Sequence, residues 1–379
     1  MSIKHELIPK RRFKEFENAD AWEQRKLGEI VLSEIKGSAK AEMIGGDTPY
    51  LETNYLNGGE CLFVDSENNV DTDDVIVLWD GSQAGTVYHG FSGALGSTFK
   101  AYKTKCLGLF IFQQLKKNQQ TIYDKYRTPN IPHVIKTFKD EYDVMLTSEE
   151  EQNEIGRYFQ QIDNLITLHQ RKLSKLRILK SAYLSEIIPE EGKLNPKRRF
   201  PGFTEDWEKK KISDMFKVTR GQVLSMSLTS PIKDETNKYP VYSSQTKNDG
   251  LMGYYSEYLF DTAITWTTDG ANAGTVNFRE GKFFSTNVNG VLLSNDGYCN
   301  KAMSEILNLV TYKYVSKVGN PKLMNNVMEE IIISVPKDKN EMKIISDFLM
   351  TFDKRIIYLE EKIKKLEDLK RSYLNEMFV

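Results

Sequence analysis

Two glycine-bearing segments hold the polar side chains whose spacing is best suited to chemistry. They read Asp80-Gly81-Ser82-Gln83-Ala84-Gly85-Thr86-Val87 and Asp269-Gly270-Ala271-Asn272-Ala273-Gly274-Thr275-Val276. Glycines four residues apart allow the backbone to turn tightly and to approach another surface closely. Ser82, Gln83 and Asn272 are candidates to reach a base edge, because Gln and Asn can hydrogen-bond adenine through both ends of the amide. A purely structural β-turn is an equally good interpretation, since the segment recurs in both halves of the chain.

Other hydrogen-bonding runs lie beside aromatic residues in each half. Their polar and basic side chains suit contacts with the phosphates and groove edges of a nucleic acid. Each run is also typical of an ordinary surface loop. The remaining candidates are Ser97, Thr98, Lys100 and Lys103 in the first half, and Ser243, Ser244, Gln245, Lys247, Thr268, Thr286, Asn287 and Lys322 in the second.

Sequence motifs for catalysis are missing. No Gly-x-x-x-x-Gly-Lys-Ser/Thr segment is present, so we expect no ATP hydrolysis by this chain. Asn320-Pro321-Lys322-Leu323 comes nearest to the Asn-Pro-Pro-Tyr motif of adenine methyltransferases, but it lacks the aromatic residue. His5, His89, His133 and His169 do not pair at metal-ligand spacing. We therefore predict no catalytic residue, no metal and no cofactor on this chain.

The composition describes a globular protein without a membrane segment. With 379 residues the chain exceeds one comfortable core, so two or more domains are expected. No long apolar run and no secretory leader are visible. Cys61, Cys106 and Cys299 are odd in number and far apart, which fits free thiols in a reducing cytosol. A net charge of −1 neither indicates nor excludes a nucleic-acid binder.

The sequence is duplicated. Lys10-Arg11-Arg12-Phe13, followed by Trp22-Glu23, recurs as Lys197-Arg198-Arg199-Phe200, followed by Trp207-Glu208. The glycine-bearing segments recur next, and residues 155–187 then recur without gaps as residues 345–377. Because the order is preserved, the chain is predicted to contain two copies of a globular domain followed by a helix.

The repeated helical segment carries a coiled-coil pattern. Apolar residues step alternately by four and three, as a helix–helix seam requires. Ser148 with Glu151 and Asp338 with Glu341 predict capping boxes at the starts of the two helices. The predicted seam comprises Ile155, Phe159, Ile162, Ile166, Leu173, Leu176, Tyr183, Ile345, Leu349, Phe352, Ile356, Leu359, Ile363, Leu366 and Tyr373.

Basic residues near these helices have several interpretations. His169 falls in the seam and is interpreted as a packing residue. Lys180 and Lys370 fill matched seam positions, where lysines tune register or snorkel outward. The openings Lys10-Arg11-Arg12 and Lys197-Arg198-Arg199 could touch DNA, but a solvated linker or a partner contact is the favoured interpretation.

These patterns predict a mixed α/β fold with two similar globular domains separated by a long antiparallel two-helix coiled coil, related by a pseudo-twofold axis. The predicted domains are 1–147, which includes the opening segment 10–30, and 191–337. The predicted spacer helices are 148–190 and 338–379. A helix of 40 residues is about 60 Å long, which exceeds one turn of B-DNA at about 34–36 Å.

Within the globular halves, short β-rich runs occur at 74–79, 107–112, 263–266 and 331–335. Polar turns that contain glycine separate them. The strand order is not readable from the sequence.

The duplicated organisation resembles the specificity subunits of Type I restriction–modification systems over essentially the whole chain. The most specific parts are the openings 10–30 and 197–212 with their Arg-Phe…Trp-Glu pattern, the strand and loop 265–275, and the helix ends 179–184 and 369–377.

The resemblance implies two target-recognition domains that each read one half of a split site in double-stranded DNA. The helices would set the spacing and carry modification subunits, expected to be two, which methylate adenine with S-adenosylmethionine. Restriction subunits, which use ATP and Mg to translocate DNA, would join the assembly. These cofactors are expected on the partner subunits, and the complex is expected on the nucleoid in the cytoplasm of a bacterium or archaeon.

Two alternatives remain open. One is a self-contained methyltransferase–endonuclease with a divergent catalytic motif. The other is a coiled-coil scaffold that never binds DNA.

Overall fold

The computed structural model of this chain describes residues 7–190, 192–244 and 247–379. The chain forms two compact units. Unit 1 comprises Met1–Arg171 with Glu360–Val379, and unit 2 comprises Lys172–Leu359. Each unit therefore contains part of both long helices.

Short strands and helices build each unit. The strands of unit 1 are β1 (Glu23–Lys26), β2 (Val31–Lys36), β3 (Thr48–Leu51), β4 (Phe63–Val64), β5 (Val75–Leu78), β6 (Val87–Tyr88), β7 (Ala94–Leu95), β8 (Phe99–Thr104) and β9 (Asp143–Leu146). Those of unit 2 are β10 (Glu208–Lys211), β11 (Lys217–Arg220), β12 (Tyr239–Tyr242), β13 (Leu251–Tyr255), β14 (Phe260–Thr267), β15 (Val276–Ser285), β16 (Asn289–Leu293) and β17 (Ile332–Val335). The helices are α1 (Leu27–Ile30), α2 (Thr53–Leu56), α3 (Gly108–Lys117), α4 (Gln119–Lys125), α5 (Phe138–Glu141), α6 (Glu149–Ile187), α7 (Ile212–Met215), α8 (Lys301–Asn308), α9 (Asn325–Glu330) and α10 (Lys339–Met377).

Unit 1 is organised around the buried strand β5. This strand pairs with β8 and β6 in the sheet β2-β8-β5-β6, while β4-β3-β7 and β1-β9 form separate sheets. Val75 and Val77 belong to one apolar cluster, whereas Ile76 and Leu78 belong to another. Because successive side chains of a strand point to opposite faces, β5 is covered on both faces, which explains its continuous apolar sequence.

Trp22 joins the ends of the chain to the core of unit 1. Its ring lies 5.6 Å from that of Phe110 in α3 and 5.7 Å from that of Phe378, measured between centroids. Phe159 of α6 also contacts Phe378. The opening segment, both long helices and α3 therefore share one core.

Unit 2 contains the sheet β11-β16-β14-β15-β12-β13 and the antiparallel pair β10-β17. Its main core includes Trp207, Trp266, Met303 and Leu349. A side chain at Gly290 would begin 2.1 Å from the Trp266 ring, so only glycine lets β16 pass the indole at this distance.

The strand prediction for residues 107–112 was wrong. Gly108–Lys117 form the helix α3, whose N-terminal Gly108 amide donates to the Asp73 carboxylate at 3.1 Å. A short apolar run has no helical or strand periodicity of its own, so burial on all sides allowed either structure. The runs at 74–79, 263–266 and 331–335 contain strands β5, β14 and β17.

The two long helices have nearly the predicted ends, but their predicted capping boxes are only half formed. The Ser148 hydroxyl accepts from the backbone N–H of Glu151 at 3.3 Å, and the Asp338 carboxylate accepts from the backbone N–H of Asn340 at 2.7 Å. The Glu151 and Glu341 carboxylates bind arginines instead of returning to the cap residues.

In unit 1 the opening segment connects both long helices. Arg12 pairs with Glu151 at the start of α6. Arg11 pairs with Glu376 near the end of α10, and its backbone amide donates to the Glu376 carbonyl at 2.9 Å. The segment is thus fixed to the helices by neighbouring arginines.

Unit 2 repeats this arrangement. Arg199 pairs with Glu341 at the start of α10, and Arg198 pairs with Glu186 near the end of α6. The interpretation of the basic openings as solvated linkers was therefore wrong for Arg12 and Arg199, whose side chains are 4% and 17% exposed, whereas Arg11 and Arg198 remain mostly exposed. Each opening is ion-paired to both long helices. One arginine binds a carboxylate at the start of one helix, and its neighbour binds a carboxylate near the end of the other helix. We call this pair of contacts the clamp.

Helix pairing inside unit 1 is antiparallel. Lys370 donates to both oxygens of Asp163 at 2.7 and 2.8 Å, and the Tyr158 and Tyr373 rings lie 5.6 Å apart. As residue numbers rise along α6, those of their partners in α10 fall. His169 is buried, in line with its interpretation as a packing residue.

Inside unit 2 the same two helices also pair antiparallel. Lys180 donates to Asp353 at 2.6 Å, and the Tyr183 ring contacts Phe348 and Phe352 at 5.3 and 5.8 Å. Lys180 and Lys370 are thus ion-paired across the helices, and they do not snorkel outward.

None of the helices in the described part of the chain combines the length and apolar character that a membrane crossing requires. Cys61, Cys106 and Cys299 are free thiols, as predicted.

Candidate nucleic-acid interface

The two glycine-bearing segments form matched turns. Gly81 and Gly85 have φ values of 113° and 94°, and Gly270 and Gly274 have φ values of 92° and 88°. All four lie in the left-handed region, which favours glycine. The glycines are therefore required by the turn itself, and between them Ser82 and Gln83 are exposed and Asn272 is partly exposed.

In unit 1 the turn lies beside two other loops. The Trp79 and Asp80 amides donate to the Thr98 carbonyl at 2.7 and 3.1 Å, which joins the turn to residues 96–99, the connection from β7 into the start of β8. The Gly81 amide donates to the Pro132 carbonyl at 3.0 Å, which joins it to the loop 128–133. We call residues 80–86, 96–99 and 128–133 the three-loop surface of unit 1.

Unit 2 builds an equivalent surface from the same backbone contacts. The Thr268 amide donates to the Val288 carbonyl at 3.0 Å, and the Gly270 amide donates to the Pro321 carbonyl at 2.9 Å. Residues 268–275, 286–289 and 316–322 form the three-loop surface of unit 2. The duplication therefore preserves a three-loop arrangement as well as a sequence motif.

Most unit 1 candidates lie on its three-loop surface. Four of them are exposed there, namely Ser82, Gln83, Ser97 and Thr98. Lys100 follows in β8, where its ammonium lies 3.8 Å from the Trp79 ring centre and pairs with Glu34. Lys103 is further along the same strand and pairs with Asp71 at 3.2 Å, so the structure does not bring it to the surface with the others.

The unit 2 candidates differ in accessibility. Thr268 is buried and its hydroxyl donates to the Val288 carbonyl at 2.9 Å. The buried Thr286 hydroxyl has no hydrogen-bond partner among the described residues. Lys322 is exposed and lies 3.7 Å from Asp269. The partly exposed candidates are Ser243, Ser244, Asn272 and Asn287.

Two candidates in the loop after β12 are not fully covered. Gln245 lies outside the described residues. Only the backbone of Lys247 is described, and this residue begins the short turn Lys247–Gly250.

Three arginines near these surfaces were missed by sequence reasoning. Arg127 donates to the Ser82 carbonyl at 3.1 Å, and Arg220 donates to the Asn287 carbonyl at 2.7 and 3.1 Å. Arg279 is buried beside Tyr242, and this burial lowers the pKa of its guanidinium. Three isolated arginines in different elements form no pattern, so nothing in the sequence distinguished them from others.

The described part of the chain holds no group of three or more His, Cys, Asp or Glu side chains placed to bind a metal.

Comparison with known proteins identifies the family. Residues 19–177 and 204–368 each match the Type I restriction modification DNA specificity domain. The chain belongs to this family. Each matched segment includes one globular part and most of the helix that follows it, so the duplicated unit inferred from the sequence is one specificity domain.

Curated relatives support the assignment. The chain is 30% identical over 220 residues to the Type I restriction enzyme MjaVIII specificity subunit of Methanocaldococcus jannaschii, which covers 54% of this chain and 52% of that protein. It is 34% identical over 181 residues to the Type I restriction enzyme MpnII specificity subunit of Mycoplasma pneumoniae, which covers 47% of this chain and 53% of that protein. The chain thus matches about half the length of these specificity subunits.

A solved structure shows the same fold. The S subunit of a Type I restriction-modification system from M. genitalium superposes with a TM-score of 0.77 over 98% of this chain and 99% of that one, at 16% identity. The mixed α/β fold of this chain is therefore also the fold of that solved structure.

Proposed function

We propose that this specificity-domain protein is the non-catalytic DNA-recognition subunit of a Type I restriction–modification complex. Each unit reads one half of a bipartite site in double-stranded DNA. The observation that carries the proposal is the matched pair of three-loop surfaces, in which both units present polar loop residues on the same backbone framework. Duplicated readers suit a site with two separate halves.

Specificity within each half-site comes from side chains that differ between the matched loops. Ser82 and Gln83 occupy the turn in unit 1, whereas Ala271 and Asn272 occupy it in unit 2. The shared turn would present these positions in the same way in both units, while the different side chains would read different bases.

The two long helices serve as a rod that sets the gap between half-sites and docks the modification subunits. The domains then divide as 1–147 and 191–337 for recognition, with 148–190 and 338–379 as spacer helices. Antiparallel ion pairs inside each unit support the pairing of the two helices along such a rod. A continuous helix of 39 residues is about 58 Å long, enough to pass one turn of B-DNA.

Catalysis is assigned to partner subunits. Methylation of adenine with S-adenosylmethionine belongs to the modification subunits, expected to be two, and ATP- and Mg-dependent translocation belongs to the restriction subunits. The missing catalytic motifs in the sequence support this assignment.

The test is methylation mapping. The full chain is combined with its cognate modification subunits, and methylated adenines are mapped in a random DNA library. We expect two short half-sites separated by a fixed gap. If the modification subunits alone give the same methylation pattern, the chain does not determine specificity and the proposal fails.

Binding assays separate the remaining alternatives. A gel shift that weakens with salt supports phosphate contacts, whereas a scaffold without DNA binding gives none. Binding of S-adenosylmethionine by the chain alone would instead support a self-contained methyltransferase.

A further inference from the structure

Arg279 in β15 is a buried cation without a carboxylate partner in the described part of the chain. Only 6% of the residue is exposed. Its Nε donates to the Thr265 hydroxyl at 3.2 Å, and its guanidinium carbon lies 3.7 Å from the Tyr242 ring centre. Burial of a charge without a countercharge costs folding free energy. A buried arginine of this kind is therefore expected where its hydrogen bonds fix the neighbouring structure.

A further hydrogen bond of Arg279 fixes a turn of the backbone. Its Nη2 donates to the Asp249 backbone carbonyl at 2.6 Å. Asn248, Asp249 and Gly250 have φ values of 52°, 51° and 83°. Left-handed residues other than glycine are uncommon, and two in succession persist only where the surrounding contacts fix them.

This left-handed turn adjoins the three-loop surface of unit 2. The Ser243 amide donates to the Gly250 carbonyl at 2.8 Å, which closes the loop that contains the turn. The Thr286 amide donates to the Tyr242 carbonyl at 2.9 Å, so the loop leaves β12 beside residues 286–289. Asn248 is exposed at the tip of the turn.

Unit 1 has no such arginine at the matched position. Val87 and Val276 occupy equivalent positions. The backbone amide of each donates to the side-chain amide oxygen of the residue 32 positions later, which is Gln119 for Val87 and Asn308 for Val276. Counting three residues on from each valine places Gly90 opposite Arg279. The pinned turn is therefore a feature of unit 2 alone.

We propose that Asn248 is a base-reading residue for the half-site of unit 2, and that Arg279 is the positioning residue that fixes its turn. This inference rests on the proposed function. An Asn amide can hydrogen-bond adenine with both ends, and a turn whose backbone is fixed beforehand lowers the cost of ordering it for that contact.

The decisive variant is Asn248→Gly. Glycine accepts the left-handed conformation, so the turn is kept while the amide is removed. In the reconstituted methylation assay, we expect about a tenfold to hundredfold loss of discrimination at one base pair of one half-site, the range for a lost bidentate contact. The other half-site and the gap should be unchanged.

Arg279→Lys and Arg279→Met test the positioning role. Methionine should relax the same base pair as Asn248→Gly, and lysine should restore part of the discrimination because it keeps the charge without the planar fork. Asn295→Gly is the matched control. Asn295 is an exposed asparagine just after the C-terminal end of β16, whereas the loop 286–289 lies at the N-terminal end of this strand. It should leave both half-sites unchanged.

The result that overturns the inference is an Asn248→Gly protein with full discrimination at every position. Asn248 would then be present only because asparagine tolerates the turn. If the unmodified chain confers no bipartite specificity at all, the proposed function fails instead, so the two failures are distinguishable.

Discussion

Arg12 and Glu151 form a two-pronged ion pair that links the opening segment to the start of α6. The arginine Nε and Nη2 lie 2.8 and 2.6 Å from the two carboxylate oxygens. Their side chains are 4% and 1% exposed. The pair recurs in unit 2 as Arg199 and Glu341, so the duplicated Arg-Phe motif has a structural role in both halves.

Arg12→Met should destabilise unit 1 strongly. It leaves the buried Glu151 carboxylate without its partner, which typically costs about 3–5 kcal/mol. Urea-induced unfolding of the full chain measures the loss. The double variant Arg12→Met with Glu151→Met should recover most of it, because no buried charge remains. A single variant as stable as the unmodified chain would contradict the clamp.

The neighbouring pair predicts a dependence on acid. The hydrogen bond from Arg11 lowers the pKa of Glu376 below its ordinary value. The pair therefore stabilises the folded chain fully above about pH 4.3, the usual glutamate pKa, and loses its contribution as pH falls through the lower folded value. Glu376→Gln should be less stable than the unmodified chain at pH 7, and this difference should shrink at about pH 3. A constant difference across this range would contradict the prediction.

A charge difference between the units predicts a stabilising substitution. In unit 2, Lys180 and Lys301 each pair with Glu305 and Asp353, which balances two cations with two carboxylates. In unit 1 the position equivalent to Glu305 is occupied by Lys116. Lys116 lies three residues before Gln119, and Glu305 lies three residues before the matched Asn308.

Lys116→Glu should therefore stabilise unit 1. Burial, followed by the charge of Lys370, lowers the pKa of Lys116. A lysine with a lowered folded pKa makes the chain more stable as pH rises from that value towards its ordinary value of about 10.4. Lys116→Glu should raise stability at pH 7 by up to about 1 kcal/mol and remove this alkaline rise. Lys116→Gln, the control, should remove the rise with a smaller gain, and a destabilised Lys116→Glu protein would oppose the interpretation.

The glycine turns predict a graded effect of alanine. At Gly270 a new Cβ meets nothing within 4 Å, whereas at Gly274 it would lie 2.8 Å from a Val315 methyl group. Gly270→Ala should cost about 1–2 kcal/mol from the left-handed backbone alone, and Gly274→Ala should cost more. Thermal unfolding of both variants checks the order, and equal costs would contradict the geometry.

Much of the fold was predictable because duplication and periodicity are properties of the sequence. The matched order of segments predicted two domain-and-helix units, and the predicted ends of both helices lie within three residues of the observed ones. Residues 107–112 were assigned wrongly, because a short apolar run that is buried on all sides has no diagnostic period.

The candidate site was less predictable. Sequence identified Gly81 and Gly270 as turn residues, but their attachment to Pro132 and Pro321 depends on contacts between distant segments. Arg12 was interpreted as part of a solvated linker or a partner contact, because its buried partner, Glu151, lies 139 residues away. Arg279 carried no pattern at all, since its role is visible only from the carbonyl that it binds.

The proposed function requires two recognition domains that are held apart by a rod of fixed length. Four residues inserted after Arg171 and four after Leu359, at the boundaries between the units, lengthen each helix by about 6 Å, close to two base-pair rises of about 3.4 Å. Methylation mapping of the reconstituted complex should then give the same two half-sites with a gap longer by one or two base pairs. An unchanged gap, or changed half-sites, would contradict the account.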